Sequence, residues 1–182
     1  FAGVNVNLIS ILILSIAGIL VTGGANAINE ILEKDSDALM SRTSSRPIPT
    51  GRMSVTEAAV FAGIAGIVGI LLFAIFFNPI SGIISAVSLL LYGFVYTPLK
   101  KVSSIAVFIG AIPGALPPAI GYIAATGHID QIALILFGIQ FFWQFSHFWA
   151  IAWVSYDDYL KADIMLLPDA NGRTKQSAIY AL

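Results

Sequence analysis

The chain has no cysteine and little charge. Without cysteine, neither a disulfide framework nor a thiolate metal site is available. Only 10% of the 182 residues are Asp, Glu, Lys or Arg, whereas soluble domains carry roughly a quarter. That shortage excludes an ordinary water-soluble globular domain. No stretch has the make-up of a secretory or transit peptide, and no repeat stands out at solenoid periods. A net charge of −1 argues neither for nor against an anionic partner, and no nucleic-acid partner is expected.

What the chain has instead is apolar sequence: 58% hydrophobic residues and a mean hydropathy of +0.89 place it in the membrane class. A spanning helix needs about 20 mostly apolar residues. Five stretches qualify: Val6–Ala27, Ala58–Phe77, Ile80–Pro98, Ile105–Ala125 and Ile132–Val154, with a sixth helix expected to begin near Ser177. The expected fold is an all-α, polytopic transmembrane helix bundle forming one domain over residues 1–182. The chain starts without Met and ends in an apolar stretch, so it reads as part of a longer membrane protein.

With five spans, all nine cations fall on one side: Lys34, Arg42, Arg46, Arg52, Lys100, Lys101, Lys161, Arg173 and Lys175. The opposite links hold only Asp130 as a carboxylate. The positive-inside rule makes the basic side cytoplasmic, or matrix-side in an organelle, and the two long polar links, Glu30–Glu57 and Ser155–Gln176, both lie there.

The first of these links carries a pattern. No proline interrupts Val21–Met40, so the first helix is expected to continue beyond its apolar part, with Pro47 and Pro49 ending it. At about 100° per residue, Asn29, Glu33 and Asp37 fall on one stripe while Asp35 points away. Such a stripe of amide and carboxylate oxygens suits Mg²⁺, which takes one or two carboxylates and completes its shell with water and phosphate oxygens. Its like charges repel unless a cation is present. Arg42 and Arg46 follow closely, and guanidinium forks bind phosphate bidentately. Together these are the parts of a magnesium–diphosphate site at a membrane edge. The alternative is a solvated loop whose charges only set topology.

Further polar points lie on the same side. Tyr92 and Tyr96 stand one turn apart, with Lys100 and Lys101 beyond them, as either cavity lining with phosphate contacts or an aromatic belt with snorkelling lysines. "GAIPGALPPAIGY" (Gly110–Tyr122) places Pro113, Pro117 and Pro118 inside a span. It predicts a kinked helix beside a pocket, since broken backbone at membrane depth must face protein or a cavity, or else close packing through small residues. "FFWQFSHFWAIAW" holds Gln144 and the ionisable His147 within an aromatic wall of Trp143, Phe148 and Trp149. An intramembrane ionisable group is a functional candidate; ligation of a metal or haem, substrate binding and base chemistry are all open to His147. Asp157 and Asp158 form a second acidic pair, able to complete a two-metal clamp around one diphosphate or simply to be solvated.

Taken in order, these segments resemble the UbiA superfamily of intramembrane prenyltransferases. The resemblance is carried by Asn29, Glu33, Asp37, Met40, "RT" at Arg42–Thr43, "RPIPTGR" at Arg46–Arg52, "YTPLKK" at Tyr96–Lys101, "GAIPGALPPAIGY", Trp143–Gln144, "HFWA" at His147–Ala150, Asp157–Tyr159, Ala162 and Leu167–Pro168. It covers nearly the whole chain, and "HFWA" points to the branch acting on haem. Ser146, Asp163 and Leu166 depart from the pattern, where Pro, Gly and Met are usual.

The resemblance implies a bundle of about nine helices, of which this chain would lack the first and the last few. It further implies Mg²⁺ as cofactor, farnesyl diphosphate and haem B as substrates, and the lipid bilayer as surroundings, in a bacterial inner membrane with the site on the cytoplasmic face. It sets no oligomeric state. By resemblance, Glu33, Asp37, Asp158 and Lys100 are the expected catalytic groups, and Asn29, Arg42, Arg46, Lys100 and Lys101 the diphosphate ligands. Tyr92, Tyr96, Trp143, Gln144, His147 and Phe148 would form the substrate pocket, and Asn29, Glu33, Asp37, Asp157 and Asp158 the metal set. Two other readings stand beside this one: a prenyltransferase of the same superfamily acting on an aromatic acid or quinone precursor, and a cation-binding transporter.

Overall fold

The computed structural model describes residues 7–169 and 172–181. It is helical throughout, with no strand among the described residues. Five helical rods are long and apolar enough to cross a membrane: α1 (Leu8–Leu39), α2 (Val55–Phe76), a rod over Pro79–Leu99, α5 (Ala106–Thr126) and α6 (Gln131–Val154). The third rod is composite: α3 (Pro79–Leu90) runs into a π-helical turn over Leu91–Tyr96 and then the short α4 (Thr97–Leu99). Two short helices, α7 (Tyr156–Lys161) and α8 (Lys175–Ala181), occupy the polar side after α6.

Side chains fix the ends of these rods. Ser54 and Glu57 form a reciprocal capping box at the start of α2. Asn78 caps α3, with Pro79 in the first turn, and Asp130 Oδ1 accepts from the backbone N–H groups of Ile132 and Ala133 at α6. At the other end of α1, helix stops at Leu39, well before the prolines expected to end it. Met40 turns to extended backbone, and the Thr43 hydroxyl donates to the Asp37 carbonyl at 3.0 Å, satisfying an acceptor that the next turn would have used. Local capping thus ends the helix, and residues 41–52 wind back as a series of turns.

Half of the apolar window of α5 is buried, the largest share among the five spans, so α5 is the central rod. It packs on α3, the π-turn and α6. Large apolar side chains such as Leu12, Ile16, Ile64, Ile75 and Phe142 stay exposed around the outside, as a surface facing lipid requires. The chain is an integral membrane protein.

The three prolines of α5 sit inside one unbroken helix. Each removes a donor from the helical ladder, because proline has no N–H. Pro117 leaves the Pro113 carbonyl without its partner four residues on, and the Ser88 hydroxyl of α3 reaches it at 3.4 Å. Pro118 does the same to the Gly114 carbonyl, which accepts the Gln144 amide of α6 at 2.9 Å. Neighbouring helices therefore supply donors to two of the carbonyls that the prolines free. Gln144→Leu, which leaves that half-buried carbonyl unpaired, is expected to lower stability by about 1 kcal/mol, read as a shift in detergent-solubilised thermal unfolding. An unchanged transition would mean that the carbonyl finds another donor.

A further turn-maker is Asp163, at φ +53. It follows α7 in the left-handed position of a Schellman-type ending, in which the Ile164 N–H donates to the Tyr159 carbonyl at 3.0 Å. Glycine is the residue best suited to that conformation, which gives a physical reason for the glycine usual there. Leu166, the other loop departure, is buried among Met40, Tyr96 and Val107.

Candidate active site

At the polar end of the bundle is a cavity of about 290 Å³. One side is the C-terminal part of α1. Asn29, Glu33 and Asp37 are all buried there, on one stripe, while Asp35 is exposed. The repulsion along the stripe is offset by cations from other segments. Lys100 Nζ lies 2.5 Å from Glu33 Oε2, and Arg46 Nη1 lies 2.7 Å from Asp37 Oδ2. Arg46 also approaches Glu30, at 3.7 Å. Burial lowers the Lys100 ammonium from its ordinary value, and the charge of Glu33 works in the opposite direction.

Each carboxylate keeps one oxygen in reserve. Glu33 Oε1 and Asp37 Oδ1 are buried without a hydrogen-bond partner. Buried acceptors are rarely left this way, and two such oxygens one helical turn apart are what a hard divalent cation uses. Among the described residues no third carboxylate or imidazole joins them. The set therefore fits a cation held by two carboxylates that takes its other ligands from amide, water or phosphate oxygens.

The walls come from α5, α6 and the π-turn. The Tyr92 and Tyr96 rings meet at a tilt with centres 5.4 Å apart, and Tyr96 meets Phe148 at 5.5 Å. Both contacts lie against α5 because Gly110 has no side chain: a Cβ there would stand 2.6 Å from Tyr96 and 3.2 Å from Phe148. Gln144 fits over Gly114 in the same way. The Lys100 ammonium sits 5.6 Å from the centre of the Tyr96 ring. His147 borders the cavity and stacks on Trp143, 4.8 Å between ring centres.

Of the residues expected from the sequence, the cavity collects Asn29, Glu33, Asp37, Arg42, Arg46, Tyr92, Tyr96, Lys100, Gln144, His147 and Phe148. Lys101, Trp143, Asp157 and Asp158 are not part of its lining. Asp157 pairs with Arg173 at 3.3 Å on the exposed surface. Asp158 is held beside the turn after α1: it accepts from the Ser41 hydroxyl at 2.9 Å and the Arg42 backbone at 3.2 Å, and it pairs with Lys161 at 2.9 Å. Its bonds to Lys161 and to Ser41 hold its carboxyl well below the usual carboxylate range.

The sequence reading gave no site role to Thr97, Tyr159, Met40, Ile151 or Ile164, although Met40, Thr97 and Tyr159 fall in segments that carry the family resemblance. All but Thr97 line the cavity, and Thr97 hydrogen-bonds Asn29 from behind. Tyr159 bonds the Arg42 side chain, and burial raises its phenol above the ordinary value. Its place directly after Asp158 in the "DDY" run was the one available signal.

Paired carboxylates with open oxygens, guanidinium and ammonium groups beside them, and an aromatic wall at the membrane edge define a class: intramembrane sites that handle an anionic head group attached to an apolar tail. Residues 2–182 match the UbiA prenyltransferase family, and the chain belongs to that family. It is 49% identical to a protoheme IX farnesyltransferase of Cytophaga hutchinsonii over 174 residues, 96% of this chain and 61% of that protein. It is 48% identical to the enzyme of the same name from Flavobacterium johnsoniae, covering 94% of this chain and 57% of that protein. A third, from Flavobacterium psychrophilum, is 47% identical over 94% of this chain and 58% of its own length. The chain thus spans about three fifths of the curated relatives it matches. No solved structure matches it.

Proposed function

We propose that this chain carries the diphosphate-binding half of an enzyme that transfers farnesyl from farnesyl diphosphate to a vinyl group of haem B, with one water adding to the vinyl carbon left cationic by the new C–C bond, giving haem O and diphosphate. The observation that carries this reading is the pairing at the stripe: each buried carboxylate has one oxygen balanced by a cation and one oxygen open. Glu33, Asp37 and the Asn29 amide would hold Mg²⁺, which supplies positive charge to the leaving diphosphate.

The chain's own residues do the rest. Arg42, Arg46 and Lys100 neutralise phosphate oxygens as the C–O bond breaks and its electron pair moves onto the diphosphate. Asp158 acts at one remove, by fixing the backbone of the turn that presents Arg42. Tyr92, Tyr96 and Phe148 exclude water and face the allylic cation with their ring surfaces. His147 and Gln144, on the same wall, face the acceptor. On this reading the site faces the cytoplasm from a bacterial inner membrane, an orientation that the one-sided cations support.

Purified full-length protein given farnesyl diphosphate, Mg²⁺ and either haem B or 4-hydroxybenzoate tests this. Haem O formation that stops when divalent cations are chelated is the expected result. Prenylated 4-hydroxybenzoate alone would overturn the haem assignment in favour of an aromatic acceptor. A transporter, by contrast, would need acidic groups leading to both faces, and the far links hold Asp130 as their only carboxylate.

A further inference from the structure

Thr97 is buried, 1% exposed, where the π-turn passes into α4. Its hydroxyl donates to the Tyr92 carbonyl at 2.8 Å. Its backbone N–H also bonds to that carbonyl, five residues back, which is the signature of the wide turn. A hydroxyl has a single proton. With that proton committed to Tyr92, Thr97 can meet Asn29 only as an acceptor, and the Asn29 amide nitrogen donates to it at 3.1 Å.

The same nitrogen donates to Glu33 Oε2 at 2.9 Å. An ionised carboxylate is also an acceptor only. Both neighbours of the Asn29 side chain therefore demand its NH₂ edge, and the reverse orientation would press the amide oxygen against two acceptors. The amide is locked, and its Oδ1 is turned away from Thr97 and Glu33.

We propose that Thr97 is a positioning residue: its hydroxyl locks the Asn29 amide so that Oδ1, and not the NH₂ group, is the atom left for a divalent cation bound along the stripe. The proposal rests on the metal reading given above. Thr97 touches neither the cation nor the substrate. It acts through Asn29, as groups behind metal ligands commonly do, where their loss costs about 10–100-fold in metal affinity. A threonine bonded only back into its own helix would leave metal affinity untouched, which separates the two roles.

The experiment measures Mn²⁺ binding to full-length protein in detergent, by the electron paramagnetic resonance signal of free Mn²⁺. Thr97→Val keeps the shape and removes the hydroxyl; its Mn²⁺ dissociation constant should rise about tenfold or more. Thr97→Ser, which keeps the hydroxyl, should bind as the wild type does. In an Asn29→Ala background, removing the hydroxyl should produce no further loss. Should Thr97→Val fail to fold, Thr97→Ala removes the same group without apolar bulk and carries the same expectation. Wild-type affinity in the hydroxyl-free variants, or equal loss in Thr97→Ser, overturns the positioning role alone. A wild-type protein that does not bind Mn²⁺ overturns the metal reading instead.

Discussion

Asp37→Asn is expected to lower prenyl-transfer turnover by about a thousandfold while leaving the fold intact. The side chain is fully buried, so the isosteric amide adds no volume and creates no cavity. What changes is charge. The substitution takes the negative partner from Arg46, which lies 2.7 Å away, and it neutralises the group carrying the open oxygen Oδ1. Removing one preorganised electrostatic group from a dry site costs about 10²–10³ in rate. On the proposed reading Asp37 is both a metal ligand and the anchor of a diphosphate-binding arginine, so the upper end is expected. The measurement is product formation by protein whose thermal unfolding matches the wild type. Turnover within tenfold of wild type would remove Asp37 from the machinery.

Lys100→Met should act mainly on stability. Glu33 is 2% exposed and its ammonium partner 12% exposed, and they meet at 2.5 Å. Deleting one member of a buried pair leaves the other charge uncompensated and costs about 3–5 kcal/mol. After the change Glu33 retains only the Asn29 amide. The expected result is a large loss of thermal stability in detergent, partly recovered in the double variant Glu33→Gln/Lys100→Met, where no charge remains to be compensated. Partial recovery by divalent cation is expected as well, because the open carboxylate oxygen already faces where such an ion would bind. If Lys100→Met melts like the wild type, the pair contributes nothing to the fold.

The spans were legible because lipid imposes one requirement, a run of about 20 apolar residues, and nothing in this chain imitates it elsewhere. The stripe of Asn29, Glu33 and Asp37 was legible for a related reason: helical periodicity fixes which residues share a face, and no proline intervenes. The partners of that stripe were not legible. Lys100 and Arg46 reach it from segments whose approach depends on packing, and they were read as phosphate ligands rather than as the partners of Glu33 and Asp37. The end of α1 was misplaced because proline is a conspicuous signal, whereas Thr43, which caps the Asp37 carbonyl, looks like an ordinary loop residue. α5 stays one continuous helix through the prolines expected to kink it. Ser88 and Gln144 fill the gaps that the prolines open, and a donor supplied by another helix leaves no mark in the sequence of α5. The second acidic pair was read as part of a metal clamp from its membrane side and from the family resemblance. Its hydrogen bonds to Ser41 and Arg42 show how much of a site is settled by residues that hold other residues.

The wide turn over Leu91–Tyr96 has a consequence for how this span is compared between relatives. It accommodates one residue more than a regular helix would, and each residue advances a helix by about 100°. Everything after it, including Thr97 and Lys100, is therefore out of phase with α3 by roughly that angle. Hydropathy cannot register such a shift, because the added position is as apolar as its neighbours. Two homologous spans of equal apolar content, one with the surplus residue and one without, would thus aim their polar ends at different helices. Conservation of length in this segment would carry as much catalytic information as conservation of any side chain in it.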